Sequence, residues 1–66
     1  MMVLTVKEVS KELHVNVNYV YRLINAGLLP CLKLGAKKVR VEALKEFLKK
    51  YEGQDIDAIL EELERE

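Results

Sequence analysis

The chain has 66 residues and carries 11 basic and 11 acidic side chains, so its formal net charge is zero. A domain of this size buries only about 60% of the surface that its unfolded chain exposes, so a self-contained enzyme with a deep cleft is not expected. Half of the residues are hydrophobic and a third are charged. This composition is typical of a globular protein rather than a disordered one.

The first part of the chain predicts two short helices joined by a tight turn. Thr5 and Glu8 have the spacing of a capping box, and the apolar residues that follow predict a first helix over residues 6–13. Asn16 is a good N-cap for a second helix over residues 17–25. Because the connection has only about three residues, we expect a sharp helix-turn-helix corner.

A β-hairpin is predicted over residues 31–41, and a very short strand over residues 2–4. Both sides of Gly35-Ala36 alternate with period two, and glycine at the first loop position suits a two-residue turn. This loop places Lys33 opposite Lys38. The apolar side of the hairpin should then pack on the core, and it consists of Leu32, Leu34, Val39 and Val41. The outward side carries Lys33, Lys38 and Arg40.

Two further helices are expected after the hairpin. A third helix over residues 42–51 has an apolar face of Leu44, Phe47, Leu48 and Tyr51, and Gly53 ends it. A fourth helix begins at Gln54 or Asp55 and carries an apolar stripe of Ile56, Ile59, Leu60 and Leu63 among acidic residues. A helix of about ten residues is not stable alone. It could dock on its own core, pair with a second copy, engage a partner protein, or cover the basic surface of the domain.

The zero net charge is the sum of two halves that differ strongly. Residues 1–50 hold ten basic and four acidic side chains, a balance of +6, whereas residues 51–66 have a balance of −6. Residues 13–41 contain no aspartate or glutamate. A basic, acid-free stretch beside an acidic tail indicates that the body of the protein binds a polyanion.

The order of elements predicts a mainly α fold with a small β-hairpin, a winged helix-turn-helix over residues 1–52, followed by an acidic amphipathic helix within residues 53–66. In such a fold the second helix can enter the DNA major groove, and the hairpin, or wing, lies beside it. Arginine can bind guanine edges and asparagine adenine edges, whereas tyrosine hydroxyls more often contact phosphate. The candidate DNA-binding residues are Asn18, Tyr19, Tyr21, Arg22, Asn25, Lys33, Lys37, Lys38 and Arg40.

Four blocks of the sequence resemble the excisionase-type helix-turn-helix domain, a small relative of the MerR-type winged helix. They are LTVKEV at 4–9, VYRLINAG at 20–27, LG at 34–35 and ALKEFL at 43–48. The resemblance covers residues 3–50 and implies base contacts by Asn18 and Arg22, with the wing on DNA beside them. Ala36 stands where the family often has arginine, which leaves the wing contact to Lys37 and Lys38.

This resemblance implies a sequence-specific accessory factor of DNA recombination that acts beside a recombinase or integrase. A small transcriptional regulator of the same fold is the alternative, and a protein–protein adaptor acting through the fourth helix is an alternative of another class. An enzyme is not expected, because His14 and Cys31 have no supporting carboxylate pattern. No metal or cofactor, no disulfide, no membrane span and no signal peptide are expected, and the predicted location is the cytoplasm.

Overall fold

Seven short elements follow one another in the computed structural model, which describes residues 2–65. They are β1 (Val3–Thr5), α1 (Val6–Leu13), α2 (Val17–Asn25), β2 (Leu32–Leu34), β3 (Ala36–Arg40), α3 (Val41–Tyr51) and α4 (Ile56–Glu64). The helices dominate and the strands form one small antiparallel sheet. This is the predicted winged helix-turn-helix with an additional C-terminal helix.

The start of α1 is fixed by hydrogen bonds within four consecutive residues. The Thr5 amide donates to Glu8 Oε1 at 2.8 Å, and the Glu8 amide donates to Thr5 Oγ1 at 3.1 Å, which confirms the predicted capping box. The bond from the Thr5 amide holds the pKa of Glu8 below its ordinary value. At the other end His14 takes the left-handed conformation with φ 58°, a position usually filled by glycine.

Both ends of α2 are also capped locally. The Asn16 side chain accepts a hydrogen bond from the Tyr19 amide at 2.8 Å, as the sequence predicts. After the helix, Gly27 has φ 81°, and the Leu28 amide donates to the Leu23 carbonyl at 3.0 Å. This closure turns the chain sharply, so that the residue after Leu28 enters the core.

The sheet has the order β1-β3-β2. Leu4 of β1 lies opposite Val39 of β3, and both side chains are buried. The backbone of the residue before β1 also supports α3, because the Val41 amide donates to the Met2 carbonyl at 3.1 Å. No side chain caps the start of α3, and this backbone bond satisfies its first amide instead.

The predicted register of the hairpin is wrong by one residue. The chain reverses at Gly35, with φ 75°, and Lys33 lies opposite Lys37 rather than Lys38. A shift of one residue exchanges the two faces of a strand, so Leu32 and Leu34 lie on the outer face, with 42% and 57% of their surface exposed. The physical reason is that the pairing of Leu4 with Val39 decides which face of β3 is buried, and the short turn at Gly35 then sets the faces of β2.

The observed register decides which hairpin residues lie on each face of the sheet, and the faces differ from the predicted ones. The face that carries the buried Val39 also carries Lys37 and, across from it, Lys33. The outer face carries Lys38 and Arg40 together with the two exposed leucines of β2. Val41 is the first residue of α3 and does not belong to the hairpin.

One hydrophobic core joins every helix to the sheet. Its buried apolar residues are Leu4, Val6, Val9, Val20, Leu23, Leu29, Val39, Leu44, Phe47 and Leu60. Leu48, which was expected on the buried face of α3, is half exposed. No helix among residues 2–65 has the length and apolar character needed to cross a membrane.

The fourth helix docks on this core. Asp55 caps it by accepting a hydrogen bond from the Ala58 amide at 3.2 Å. Leu60 is completely buried, and Ile56 packs against the core beside it. Leu63, which was expected in the same apolar stripe, is 42% exposed. The structure therefore shows docking on the chain's own core, the first of the alternatives raised for this segment.

Candidate nucleic-acid interface

The outer face of α2 is polar and has two asparagines at its centre. Each residue of an α-helix is turned by about 100° from the last, so Asn18 and Asn25 lie almost directly opposite the buried Val20 and Leu23. Both asparagines are exposed, and they are separated by two helical turns. They therefore place two amide groups in a line along the exposed face of the helix, on the side away from the core.

One flank of α2 faces the hairpin. Tyr21 is exposed on this flank, and Lys37 Nζ lies 5.6 Å from the centre of its ring, within the range of a cation–π interaction. Lys33 lies directly across from Lys37 in the sheet. Of the predicted site residues, Lys33 and Lys37 thus lie on the side of the hairpin that faces α2, and Lys37 is next to Tyr21 of that helix.

Two of the predicted basic residues lie elsewhere on the hairpin. Lys38 and Arg40 occupy the outer face of β3, away from the side that contacts α2. The Arg40 guanidinium lies 3.6 Å from the carboxylate of Glu42 at the start of α3. The single outward cluster that the sequence predicted is therefore divided between the two faces of the sheet.

The other flank of α2 faces α4, where Arg22 is held by a carboxylate. Arg22 Nε and Nη2 donate to the two carboxylate oxygens of Glu64, both at 2.8 Å. The two side chains are each 41% exposed. The hydrogen bonds between the ionised groups, and after them the attraction of the two charges, lower the pKa of Glu64 and raise that of Arg22.

Tyr19 makes a second contact on the same flank. Its hydroxyl donates to the carboxylate of Asp57, and the Arg22 guanidinium lies 5.4 Å from the centre of its ring. Partial burial, followed by the hydrogen bond to Asp57, raises the pKa of Tyr19 to about 12. Tyr19 and Arg22 therefore differ from Asn18 and Asn25, since their polar groups are already occupied in the free protein.

The sequence did not single out Asp57 and Glu64 among the acidic residues of the tail. A signal was present, because the two residues are seven apart and share one edge of a helix. The Tyr19 and Arg22 partners are also one turn apart on a single edge of α2. However, nothing local decides which acidic edge meets which edge of α2.

The arrangement is suited to recognition by hydrogen bonds and charge. Within residues 2–65 no three histidine, cysteine, aspartate or glutamate side chains are close enough together to hold a metal ion. Cys31 is a free, partly buried thiol beside β2, and His14 serves as the left-handed cap of α1. The polar groups presented by α2 and the hairpin are instead amides, hydroxyls and cations, which suit an anionic partner.

Comparison with known proteins agrees with this geometry. A family model described as a helix-turn-helix domain matches residues 3–52, which include β1 through α3 and stop before α4. The comparisons with curated proteins and with solved structures find no match. The match covers most of the chain and supports DNA binding through the α1–α2 unit. The chain belongs to this helix-turn-helix domain family.

Proposed function

We propose that this protein binds double-stranded DNA at a specific sequence, with α2 in the major groove and the β2–β3 hairpin as a wing. The observation that carries the proposal is the exposed line of Asn18 and Asn25 on an acid-free helix, flanked by Lys37. An asparagine amide can donate and accept at once, which matches the edge of adenine in the major groove. These two side chains are therefore proposed to read bases.

The hairpin is proposed to hold the protein on the DNA backbone. Lys33 and Lys37 lie directly opposite each other, and like charges in such a pair destabilise a sheet. A phosphate near both ammonium groups would turn this repulsion into two favourable contacts. Lys37 is also positioned by the Tyr21 ring, so the wing and α2, the proposed recognition helix, meet DNA as one unit.

A matched set of variants tests the division between base and phosphate contacts. Asn18→Ala should weaken binding to the preferred duplex by roughly 5- to 100-fold and have little effect on unrelated duplexes. Lys37→Gln should weaken binding to all duplexes alike and reduce the slope of log K against log salt concentration by about one. The control is Lys49→Gln, which removes the same charge from the outer face of α3.

Fluorescence anisotropy with a preferred and an unrelated duplex measures all three effects. A salt-independent affinity, or an equal loss in the Lys37 and Lys49 variants, would contradict the proposed interface. The preferred duplex comes from selection in a random pool, an experiment that also addresses the biological role.

The role proposed within DNA binding is that of an excisionase-type accessory factor of recombination. It is supported by the four sequence blocks that resemble this family, and a transcriptional regulator is the alternative. Selected sites arranged as direct repeats would favour the accessory factor, because it would bind in tandem beside a recombinase. An inverted repeat would favour a regulator that binds as a symmetric dimer.

No catalytic activity is part of this proposal, and the cytoplasm is the proposed location. The adaptor hypothesis has less support, because Leu60, at the centre of the apolar stripe of α4, is completely buried in the chain's own core. A partner protein that used this stripe would have to displace α4 first.

A further inference from the structure

The fourth helix, α4, makes two kinds of contact, an apolar one with the core and a polar one with α2. Leu60 and Ile56 face the core, whereas Asp57 and Glu64 share the edge of the helix next to α2. Glu62 lies on the opposite side of α4, where the charged group it contacts is Arg65, 3.9 Å away. The helix is thus fixed by apolar packing, and one of its acidic edges is directed at the recognition helix.

The two carboxylates occupy the polar groups of Tyr19 and Arg22, which the sequence predicts to contact DNA. The paired bonds from Arg22 to Glu64 have the same bidentate form that arginine uses with phosphate or with the edge of guanine. The Tyr19 hydroxyl donates to Asp57 as it would to a phosphate oxygen. A DNA strand that contacted these two side chains would have to replace both carboxylates and lie beside their negative charge.

A structural role alone explains the Arg22–Glu64 contact poorly. Ion pairs between exposed side chains contribute little to stability, and the Arg22–Glu64 pair is 41% exposed on each side. The burial of Leu60 is what holds α4 in place. The helix also lies outside residues 3–52, the part of the chain that matches the helix-turn-helix family.

We propose that α4 is an autoinhibitory element in which Asp57 and Glu64 compete with DNA for Tyr19 and Arg22. This inference rests on the proposed DNA-binding function and adds its regulation. Because α4 belongs to the same chain and is anchored by Leu60, the competition is intramolecular and does not depend on protein concentration. The acidic tail thus lowers the affinity of the basic body for DNA, beyond its effect on the net charge.

The test compares two double variants of the full chain with the same net charge. Asp57→Asn/Glu64→Gln removes the competing carboxylates and leaves Leu60 in place. Glu52→Gln/Glu62→Gln removes two acidic groups that do not contact α2. Affinity for one duplex is measured by fluorescence anisotropy at several salt concentrations, and thermal unfolding followed by circular dichroism verifies that both variants are folded.

We expect the Asp57/Glu64 variant to bind DNA roughly tenfold more tightly than the wild type, and clearly more tightly than the control variant. Each exposed contact is expected to contribute about two- to fivefold, and the contributions of the two contacts multiply. The difference should shrink as salt rises, because screening weakens both carboxylate contacts.

An equal gain in affinity in the two variants would overturn the inference while leaving DNA binding intact, since only net charge would then matter. Unchanged affinity in both variants would overturn it as well. Failure of the wild type and both variants to bind any duplex would overturn the proposed function itself, together with the regulation inferred from it.

Discussion

The two flanks of α2 are held by different kinds of contact. On the α4 flank, Tyr19 and Arg22 hydrogen-bond to carboxylates, and a completely buried leucine fixes the helix that carries them. On the wing flank, the Tyr21 ring lies next to the ammonium group of Lys37, and strand β2 leaves its two leucines exposed.

Because of this difference, residues on the α4 flank should matter mainly for stability, and residues on the wing flank mainly for binding. The helix α4 is anchored in the hydrophobic core, so changes to its anchor should destabilise the protein. The wing flank extends past the core, so changes there should affect the partner more than the fold. Three measurements test this contrast, and their expected effects decrease from the α4 anchor to the wing.

Truncation of the α4 anchor should have the largest effect. Leu60→Ala removes a fully buried side chain and should lower the free energy of unfolding by about 2–5 kcal/mol, as cavity-forming substitutions do. That is a large part of the stability of a domain of this size. Urea denaturation measures the change. Leu63→Ala is the control, because its side chain is 42% exposed and its loss should cost no more than about 0.5 kcal/mol.

A similar loss in both leucine variants would show that α4 is not anchored through Leu60. In that case the contrast between the two flanks would fail.

Titration of Tyr19 tests the polar contacts of the same flank. Its pKa is raised from 10.0 to about 12, so its contribution to stability is complete below pH 10 and is lost as the pH rises towards 12. In Asp57→Asn the pKa of Tyr19 should fall but stay above 10.0, because burial is the larger cause of the shift. The ring signals of Tyr19 in NMR spectra recorded against pH give this value.

Glu62→Gln is the control for the titration, since Glu62 lies on the other side of α4. An Asp57→Asn variant in which Tyr19 titrates as in the wild type would show that the hydrogen bond does not form in solution.

The smallest effect is expected on the wing flank. Leu34→Ser should change the free energy of unfolding by no more than about 0.5 kcal/mol, because the side chain is 57% exposed on the outer face of β2. Urea denaturation again provides the measurement. The hairpin register first predicted from the sequence would place Leu34 in the core and give a loss of about 2–5 kcal/mol, so such a loss would restore that register.

The helices were predictable because their signals are local. The capping box of Thr5 and Glu8 and the Asn16 cap each act within three residues, and the periodicity of apolar residues marks the buried face. The bounds of α1 and α2 predicted in this way are the observed ones. The charge asymmetry and the absence of acidic residues between 13 and 41 likewise belong to the sequence itself.

Other features were decided only when distant segments met. Which face of β3 is buried depends on its pairing with β1, more than thirty residues away in sequence, and the short turn at Gly35 then sets β2. The contacts of α4 with Tyr19 and Arg22 span 38 and 42 residues.

The reason is that alternation and helical periodicity define the faces of an element without naming the partner that covers them. The sequence by itself therefore determined the helix-turn-helix and a basic body with an acidic tail. Only the tertiary structure decided that this tail lies against α2, because the burial of Leu60 fixes the orientation of α4 and thereby the two carboxylates beside it.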